Sequence, residues 1–583
     1  MVISSPDTKG DYLSPLESSE LLVLSSNLAT IRTLAKPPKS LNWKVILPIL
    51  YLFFCSGAID AAPPGSRGEF RTLSQLPDHS IPSSSVRDIE GKSSIEIGGV
   101  KVSGSTVYSE EELSEITSRF IGMYATVETL QEITRQITQL YISGGYVTSG
   151  AYLPPQDLSD GIVKVEVVEG KLEDIEIEGL NRVRDYYVRG RLMKAVGVPL
   201  NIGRLEEALQ LLQLDPLFER VEAQLNQGTE PELSVLRVKL KETAAVSVGL
   251  QFDNYESPSI GEYEGTINFA HQNLLGFGDR FSAQYSITEG QNSYELSYSL
   301  PVNADNGTVS LSYQAGDSKI IEDLFKDVGI RSNSNILSVG FRQPIILRPN
   351  EEFALSVSVD FEESRTFLLD NIPFSFTIGP ENGKSRVTAL RLGQDWVSRS
   401  PKRVVALRSR FSFGLGLLGA TLNDSGIDAD FFSWLGQFQW VEKLDHNVLL
   451  LARLAVQLSP DALLPVEQFD IGGIDTVRGY TNNLRIGDNG VAGTIEARFT
   501  LVDDESYGVL DLIPFLDFGT VWNNKLPIVY PNTLLSTGLG LSWQIDSFHV
   551  RLDYGISLIA VPQQSNSLQG NGLSFSVLWQ RKF

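Results

Sequence analysis

The last eleven residues, Leu573-Ser-Phe-Ser-Val-Leu-Trp-Gln-Arg-Lys-Phe583, place an apolar side chain at every second position as far as Trp579. Side chains point to opposite faces of a β-strand in turn, so this spacing predicts a strand with one apolar and one polar face. Two earlier stretches, Val246–Asp253 and 281–287, have the same spacing. The sequence therefore predicts repeated strands that separate an apolar environment from a polar one.

The C-terminal 340 residues, 244–583, consist largely of such segments, which are separated by Gly, Asn, Asp and Pro. Segments of about ten alternating residues are typical of a transmembrane β-barrel, in which one face meets lipid and the other meets the lumen. A soluble β-sandwich would give the same period, and the alternation alone leaves it open. The terminal Phe583 favours the barrel, because a C-terminal aromatic residue after an alternating strand looks like the assembly signal of outer-membrane barrels.

We predict a closed, antiparallel barrel of sixteen strands, an even number that is usual for such barrels. A barrel of this size has a water-filled lumen rather than a packed interior. The predicted strands begin near residues 245, 262, 279, 293, 307, 334, 351, 384, 402, 429, 446, 490, 511, 534, 548 and 572.

Residues 1–61 are predicted to be an N-terminal extension and a secretory signal peptide. The apolar run 45–59 is about 15 residues long, which is too short for a membrane-spanning helix, and small residues follow it. Cys55 lies in this run and is predicted to be discarded with it. Either Met1 is not the true start or a further targeting segment precedes the apolar run. Residues 62–94 are rich in Pro and Ser and are interpreted as a linker, with a plug of the pore as the alternative.

Composition excludes several classes of function. Lys and Arg total 48 against 71 Asp and Glu, a net charge of −23, which argues against nucleic acid as a partner. One cysteine and four histidines leave no disulfide framework and no pattern of metal ligands. The glycines of 414–419 have the spacing of a dinucleotide-binding motif, but no βαβ unit surrounds them. Residues 379–385 resemble a phosphate-binding loop but have one residue too few between their glycines. We find no catalytic constellation, and expect neither an enzyme nor a cofactor.

Residues 95–170 and 171–243 have a common outline, which predicts two related domains of the order β-α-α-β-β. A capping box, Ser109-Glu-Glu-Glu112, marks the start of the first helix. The segments 162–168 and 233–240 alternate as half-buried strands do. This α+β order, with Leu140-Tyr-Ile-Ser-Gly-Gly-Tyr146 at the end of a helix, resembles the POTRA domain. The resemblance implies a sheet whose exposed edge accepts an extended polypeptide as an added strand. A spacer without a ligand is the alternative.

A segment without a strand pattern, 459–489, interrupts the predicted barrel, and long segments of this kind are usually functional. It contains Val477-Arg478-Gly479-Tyr480. This closely resembles the VRGY loop motif of the two-partner secretion transporters, the haemolysin-activation/secretion family within the superfamily of POTRA plus β-barrel proteins. Phe515-Leu-Asp517-Phe-Gly519 resembles the FxDxG strand motif of the same family. The resemblance spans roughly 95–583.

The two motifs suggest a contact that can be argued from charge alone. Asp517 alternates with Leu516 and Phe518, so we expect it to face the lumen. Arg478 on a segment folded into the lumen could then form a forked ion pair with Asp517. Gly479 would permit a close approach of the backbone, and Tyr480 would pack against the wall. The pair could be a static brace or a gate latch, and the sequence leaves both open.

The family resemblance implies that the chain is an outer-membrane pore that secretes a large partner exoprotein. The POTRA units would capture the unfolded partner in the periplasm, and the barrel would conduct it. Further expected partners are outer-membrane lipid and the barrel-assembly machinery that would insert the chain itself. An assembly factor that inserts other barrels is the alternative function, and a passive porin is a third.

Overall fold

The computed structural model describes residues 2–3, 95–323, 325–562 and 566–583. The predicted signal peptide 45–59, with Cys55, and the predicted linker 62–94 lie outside the described residues. The chain divides into two compact units, of which the first ends at Thr243 and the second contains 244–583. Among the described residues, no helix combines the length and the apolar character needed to cross a bilayer.

The first unit holds two small α+β repeats. Its helices are α1 (Glu110–Thr117), α2 (Val127–Ser143), α3 (Asp185–Val196) and α4 (Ile202–Gln213). Its strands are β1 (Val2–Ile3), β2 (Gly99–Ser103), β3 (Gly150–Tyr152), β4 (Ile162–Val168), β5 (Lys171–Glu178), β6 (Phe218–Gln227) and β7 (Leu233–Glu242). In the first repeat β4 lies between β2, which is parallel to it, and β3, which is antiparallel. In the second repeat β7 lies between β5 and β6 with the same directions, and β1 pairs with the free edge of β6.

Local sequence explains where the helices of the first repeat begin and which face they bury. The capping box predicted at the start of α1 is confirmed, because Ser109 and Glu112 each accept a hydrogen bond from the other's backbone amide. Helix α2 buries a stripe of one face against the sheet. The stripe consists of Leu130, Ile133, Ile137 and Tyr141, at the spacing of successive helical turns.

The second unit is the predicted closed barrel. Its elements are β8 (Val246–Asp253), β9 (Glu264–Gln272), β10 (Arg280–Ile287), β11 (Gln291–Pro301), β12 (Thr308–Lys319), β13 (Arg331–Arg348), β14 (Glu351–Leu368), β15 (Ile372–Pro373), β16 (Lys384–Arg399), β17 (Arg403–Gly414), β18 (Ile427–Asp428), β19 (Phe432–Asp445), β20 (Val448–Leu458), β21 (Ala462–Leu463), β22 (Phe469–Ile471), β23 (Arg485–Gly487), β24 (Asn489–Asp504), β25 (Gly508–Trp522), β26 (Thr533–Ile545), β27 (Phe548–Ser557) and β28 (Leu573–Lys582).

Sixteen long antiparallel strands form the cylinder, and β28 pairs with β8 to close it. The two-residue strand β15 adds only to the end of β14. The prediction of a sixteen-stranded barrel is therefore confirmed. Each long strand begins within three residues of its predicted start; the largest differences are 331 against 334, 432 against 429 and 508 against 511. Closure leaves no strand edge unpaired. An unpaired edge would expose backbone groups without hydrogen-bond partners to the bilayer.

The two faces of the barrel wall differ as the alternation predicts. Along β8, the outward Leu250 and Phe252 are 48% and 49% exposed, whereas the neighbouring Asp253 points inward and is 1% exposed. Along β25, Leu516 and Phe518 are outward and Asp517 is inward and buried. The outer face is thus apolar, as contact with lipid requires, and the inner face carries the polar and charged groups.

Between β20 and β24 the chain folds into the barrel, and we call residues 459–488 the inward loop. The segment is not devoid of strands as predicted, because it contains β21, a 3-10 turn at Pro465–Glu467 and the antiparallel pair β22 and β23. Strands of two or three residues are too short to produce a recognisable alternation. They give backbone groups in the loop hydrogen-bond partners away from the barrel wall.

Candidate functional site in the inward loop

Arg478, near the tip of the inward loop, forms a forked ion pair with Asp517 on β25. Its Nε lies 2.7 Å from Asp517 Oδ2, and its Nη2 lies 2.8 Å from Asp517 Oδ1. The backbone amide of Arg478 also donates to Asp517 Oδ2 at 3.1 Å. Three hydrogen bonds to one carboxylate fix both the side chain and the backbone of the loop at this point.

Two further carboxylates surround the same guanidinium. Nη1 of Arg478 lies 3.1 Å from Glu496 Oε2 on β24 and 3.4 Å from Asp553 Oδ1 on β27. We call Glu496, Asp517 and Asp553 the carboxylate cluster. Arg551 pairs with Asp553 at 2.7 Å, so neighbouring cations balance part of its negative charge. All three carboxylates are at most 1% exposed, which makes the loss of Arg478 from the cluster costly.

An aromatic ring completes the surroundings of Arg478. The carbon at the centre of its guanidinium lies 3.5 Å from the centroid of the Phe515 ring. Phe515 is two residues before Asp517 on the same strand, so both point inward. The flat guanidinium can stack on the ring while its edge donates to carboxylates, which lysine could not do equally well. Both motifs quoted from the sequence therefore meet at one side chain.

The backbone after Arg478 approaches the wall too closely for any side chain. Gly479 has φ +88°, and a Cβ there would lie 2.9 Å from backbone atoms of Gly555 on β27. A Cβ on Gly555 would in turn lie 2.5 Å from the Gly479 nitrogen. The Gly479 carbonyl accepts a hydrogen bond from Ser557 Oγ at 2.6 Å. Glycine on both sides is what permits this contact.

Tyr480 and Val477, on either side of Arg478 in the sequence, are both buried. Tyr480 is held by hydrogen bonds of its hydroxyl group, and Val477 is held by an apolar contact. The Tyr480 side chain is 1% exposed, and its hydroxyl donates toward the carbonyls of Leu535 and Ile559, each at 2.9 Å. Val477 is fully buried against Gly519 on β25, where a Cβ would lie 2.9 Å from Val477 Cγ2. These apolar and hydroxyl contacts support the ion pair, so the loop tip is held by shape as well as by charge.

A second attachment of the inward loop was missed by the sequence analysis. Glu467, in the 3-10 turn of the loop, accepts from Nη2 and Nη1 of Arg391 on β16 at 2.9 and 3.1 Å. Arg391 also contacts Asp360 and, at 2.8 Å, Glu362, both on β14. Glu467 and Arg391 are each 8% exposed. Glu467 lies in the segment 459–489 that the sequence singles out, but nothing in the sequence pointed to Arg391, which is 76 residues away.

The two attachments lie on different parts of the wall. Arg478 is held by β24, β25 and β27, whereas Glu467 is held by β16 with β14 beside it. The inward loop therefore extends from one side of the lumen to the other. Buried ion pairs hold the segment at both places.

Phe583 lies at the seam of the barrel. Its backbone exchanges hydrogen bonds with Val246 at 2.8 and 3.3 Å, next to the pairing of β28 with β8. Its ring is 60% exposed, with the guanidinium of Arg581 at 5.4 Å. In the part of the chain that the structure describes, no group of His, Cys, Asp or Glu is arranged to hold a metal ion.

Comparison with known proteins shows which protein families the sequence matches. Residues 232–543 match the sequence profile described as "Haemolysin secretion/activation protein ShlB/FhaC/HecB", and residues 95–170 match "POTRA domain, ShlB-type". The outer membrane transporter CdiB of Dickeya dadantii (strain 3937) is 23% identical over 437 residues, which are 73% of this chain and 76% of that protein.

Solved structures show the same fold. CdiB from Escherichia coli superimposes with a TM-score of 0.66 at 20% identity, over 87% of this chain and 93% of that one. BamA from Haemophilus ducreyi lacking POTRA domains 1-3 gives a TM-score of 0.52 at 17% identity, over 83% and 100% of the two chains.

Proposed function

Because the chain belongs to the haemolysin secretion/activation family of ShlB, FhaC and HecB, we propose that it exports a partner protein. The barrel lies in the outer membrane and the POTRA repeats lie in the periplasm. The chain enters the barrel at β8, so successive strands run alternately outward and inward. The connection between β20 and β24, which is the inward loop, consequently enters the lumen from the extracellular end.

One observation carries the mechanism: the inward loop spans the lumen and is attached at both sides by ion pairs. In our proposal these contacts form a latch that opens when the partner arrives. The contacts are polar, so water and the passing chain can replace their hydrogen bonds when the loop leaves the wall. A brace that only stiffens the barrel would need no such exchange, and the experiments described in the Discussion separate the two roles.

Capture of the partner is assigned to the POTRA repeats. Each small sheet has an edge strand that can pair with an extended polypeptide through main-chain hydrogen bonds, with little demand on sequence. The pairing of Val2 and Ile3 with Gln224 and Ala223 of β6 supports this idea, because it is an added strand at such an edge. We expect folding of the exported partner outside the cell to prevent its return.

Deletion of the gene tests the proposal. We expect one large exoprotein to disappear from the culture medium while the other outer-membrane barrels remain at their normal level. Depletion of many barrels would instead indicate an assembly factor, the alternative suggested by the similar fold of BamA. Deletion of 95–243 alone, with an intact barrel in the membrane, should abolish export of the same exoprotein, and unchanged export would overturn the assigned role of the repeats.

A further inference from the structure

One side of the barrel lumen is rich in serine. On β10, β11, β12 and β13 the apolar residues point outward, as the exposure of Leu296, Leu311 and Val339 at 44%, 48% and 46% indicates. The alternate positions therefore point inward, and serine is the commonest residue among them. We call the inward-facing positions from Ser282 to Ser338 on these four strands the serine wall.

Strand register aligns these serines in rows around the barrel. Ser282 lies opposite Ser297, Ser297 opposite Ser312, and Ser312 opposite Ser338. The hydroxyl oxygens of Ser282 and Ser297 are 2.6 Å apart, so neighbours in a row can hydrogen-bond to each other. One row thus places a hydroxyl group on each of four consecutive strands.

A second row lies nearer the extracellular end. Ser286 is opposite Ser293, Ser293 is opposite Gly316, and Gly316 is opposite Ser334. On the far side of Ser334 the row continues to Ser364 on β14. Every member has a small side chain or none, so this part of the wall adds little bulk to the lumen.

Charge is sparse on this side. The inward positions of β10–β13, all of which the structure describes, include three charged residues, Arg280, Glu295 and Arg342. Arg342 lies 2.6 Å from Glu352 and 3.5 Å from Asp395, so its charge is balanced at the wall. The carboxylate cluster lies on β24, β25 and β27 instead, where it contacts Arg478 of the inward loop and wall arginines such as Arg551.

The inward loop leaves a gap on the serine side. A cavity there has Ser332 and Ser364 on the barrel side and Val466 and Ile486 on the loop side. The ion pairs of Glu467 and Arg478 are formed with other strands, as described above. Release of the loop would therefore widen the lumen along a wall that is rich in hydroxyl groups and carries few charges.

We propose that the exported partner crosses the lumen as an extended chain along the serine wall. Serine hydroxyls donate and accept, so they can satisfy the main-chain groups of any sequence as it moves past. Conduction needs contacts that favour entry but are weak enough to permit exit, and neutral hydroxyls meet both conditions better than fixed charges do. This inference rests on the proposed function and names the surface that the partner touches.

Site-specific cross-linking tests the path in the full chain. The natural Cys55 is changed to Ser, and a single cysteine is introduced as Ser312→Cys on the serine wall or Gln439→Cys on the inner face of β19. Leu311→Cys on the outer face is the negative control. The probe is the exoprotein that the gene deletion identifies. It is fused to a domain whose own disulfide keeps it folded and stalls the probe in the pore, and it carries one further cysteine for cross-linking.

We expect a disulfide adduct at position 312 at least five-fold more abundant than at 439, and none at 311. Equal or stronger adducts at 439 would overturn the path while leaving the proposed function intact. Absence of adducts at both inner positions, with the probe stalled and export blocked, would show that the lumen is not the route, and would overturn the proposed function as well.

A charge placed on the path gives an independent measurement. Ser312→Arg should lower the export rate several-fold, whereas Gln439→Arg should change it by less than two-fold, with both barrels shown to be folded by their heat-dependent mobility in gels. A similar loss from both variants, or a larger loss from Gln439→Arg, would contradict the inference.

Discussion

At the scale of single residues, Asp517 is the wall partner on which the loop tip depends most. Asp517→Asn removes the charge that faces Arg478 and leaves the remaining contacts to Glu496 and Asp553. Breaking a buried ion pair by removing one partner typically costs about 3–5 kcal/mol. We therefore expect the pore to open more often, which is measured as conductance in planar bilayers and as sensitivity to large antibiotics that the outer membrane excludes.

Asp511→Asn is the matched control for this variant. Asp511 lies on the same strand and the same face, where it accepts a hydrogen bond from Thr500 at 2.8 Å rather than from the inward loop. It should leave conductance unchanged. If Asp517→Asn lowers only the melting temperature of the barrel and never its conductance, the pair is a brace.

Glu467 gives the second residue-scale prediction. Glu467→Gln keeps the shape of the side chain but removes the charge that pairs with Arg391, so we expect a modest rise in open probability. Combined with Asp517→Asn, it should raise conductance well beyond the sum of the single effects, because either attachment alone still restrains the loop. Strictly additive conductance in the double variant would argue against two attachments of one moving segment.

Gly555 offers a test that leaves every charge in place. A Cβ at this position would lie 2.5 Å from the Gly479 nitrogen, so Gly555→Ala should prevent the loop tip from seating and open the pore. Gly265 on β9 is the control, because the nearest atom to a Cβ there is a methyl group of Ile287 at 3.8 Å. Normal conductance of Gly555→Ala would show that the close approach is unnecessary for closure.

At the scale of the elements, the sequence identified the loop motif and its principal partner but not the complete set of contacts. Asp517 could be assigned to the inner face because it alternates with Leu516 and Phe518. Glu496 and Asp553 could not be chosen from the sequence, since many strands carry an inward carboxylate and register decides which ones meet Arg478. Arg391 was unpredictable for the same reason, because a partner across the lumen leaves no trace in local spacing.

The repeats contain a matching pair of carboxylates that alternation did not predict. Glu242, the last residue of β7, accepts from the backbone amides of Asn181, Arg182 and Val183, which precede α3. Glu169 accepts in the same way from the amides of Thr106 and Val107 in the first repeat. Each carboxylate therefore fixes the segment between the first strand and the first helix of its repeat.

These contacts predict acid sensitivity of the repeats. Although burial alone would raise the pKa of Glu242, its hydrogen bonds to the three backbone amides outweigh burial and hold the pKa below the usual 4.5. A lowered pKa means that its contribution to stability is present above pH 4.5 and is lost as the pH falls through the folded value. Glu242→Gln should weaken this dependence, measured by limited proteolysis of 95–243 in the full chain between pH 3 and 7. An unchanged pH profile would contradict the assignment.

At the scale of the whole molecule, the barrel was predictable because two solvents impose its pattern. Lipid outside and water inside force apolar and polar side chains to alternate along every spanning strand. This period predicted the first residue of each of the sixteen strands to within three residues. The contacts across the lumen of the barrel escaped prediction. Neither the serine wall nor the span of the inward loop follows from one strand, because both arise from register and closure around the cylinder.

The measurement that tests the account most directly is a reversible lock between the inward loop and the wall. Val477→Cys with Gly519→Cys places two cysteines where the valine methyl now contacts the glycine position. The pair Thr520→Cys with Thr533→Cys joins two neighbouring barrel strands, away from the serine wall, as a control. We predict that oxidation stops export by the first pair, that a reductant restores it, and that the control pair exports in both states. Undiminished export while 477 and 519 are cross-linked would contradict the claim that the inward loop must move.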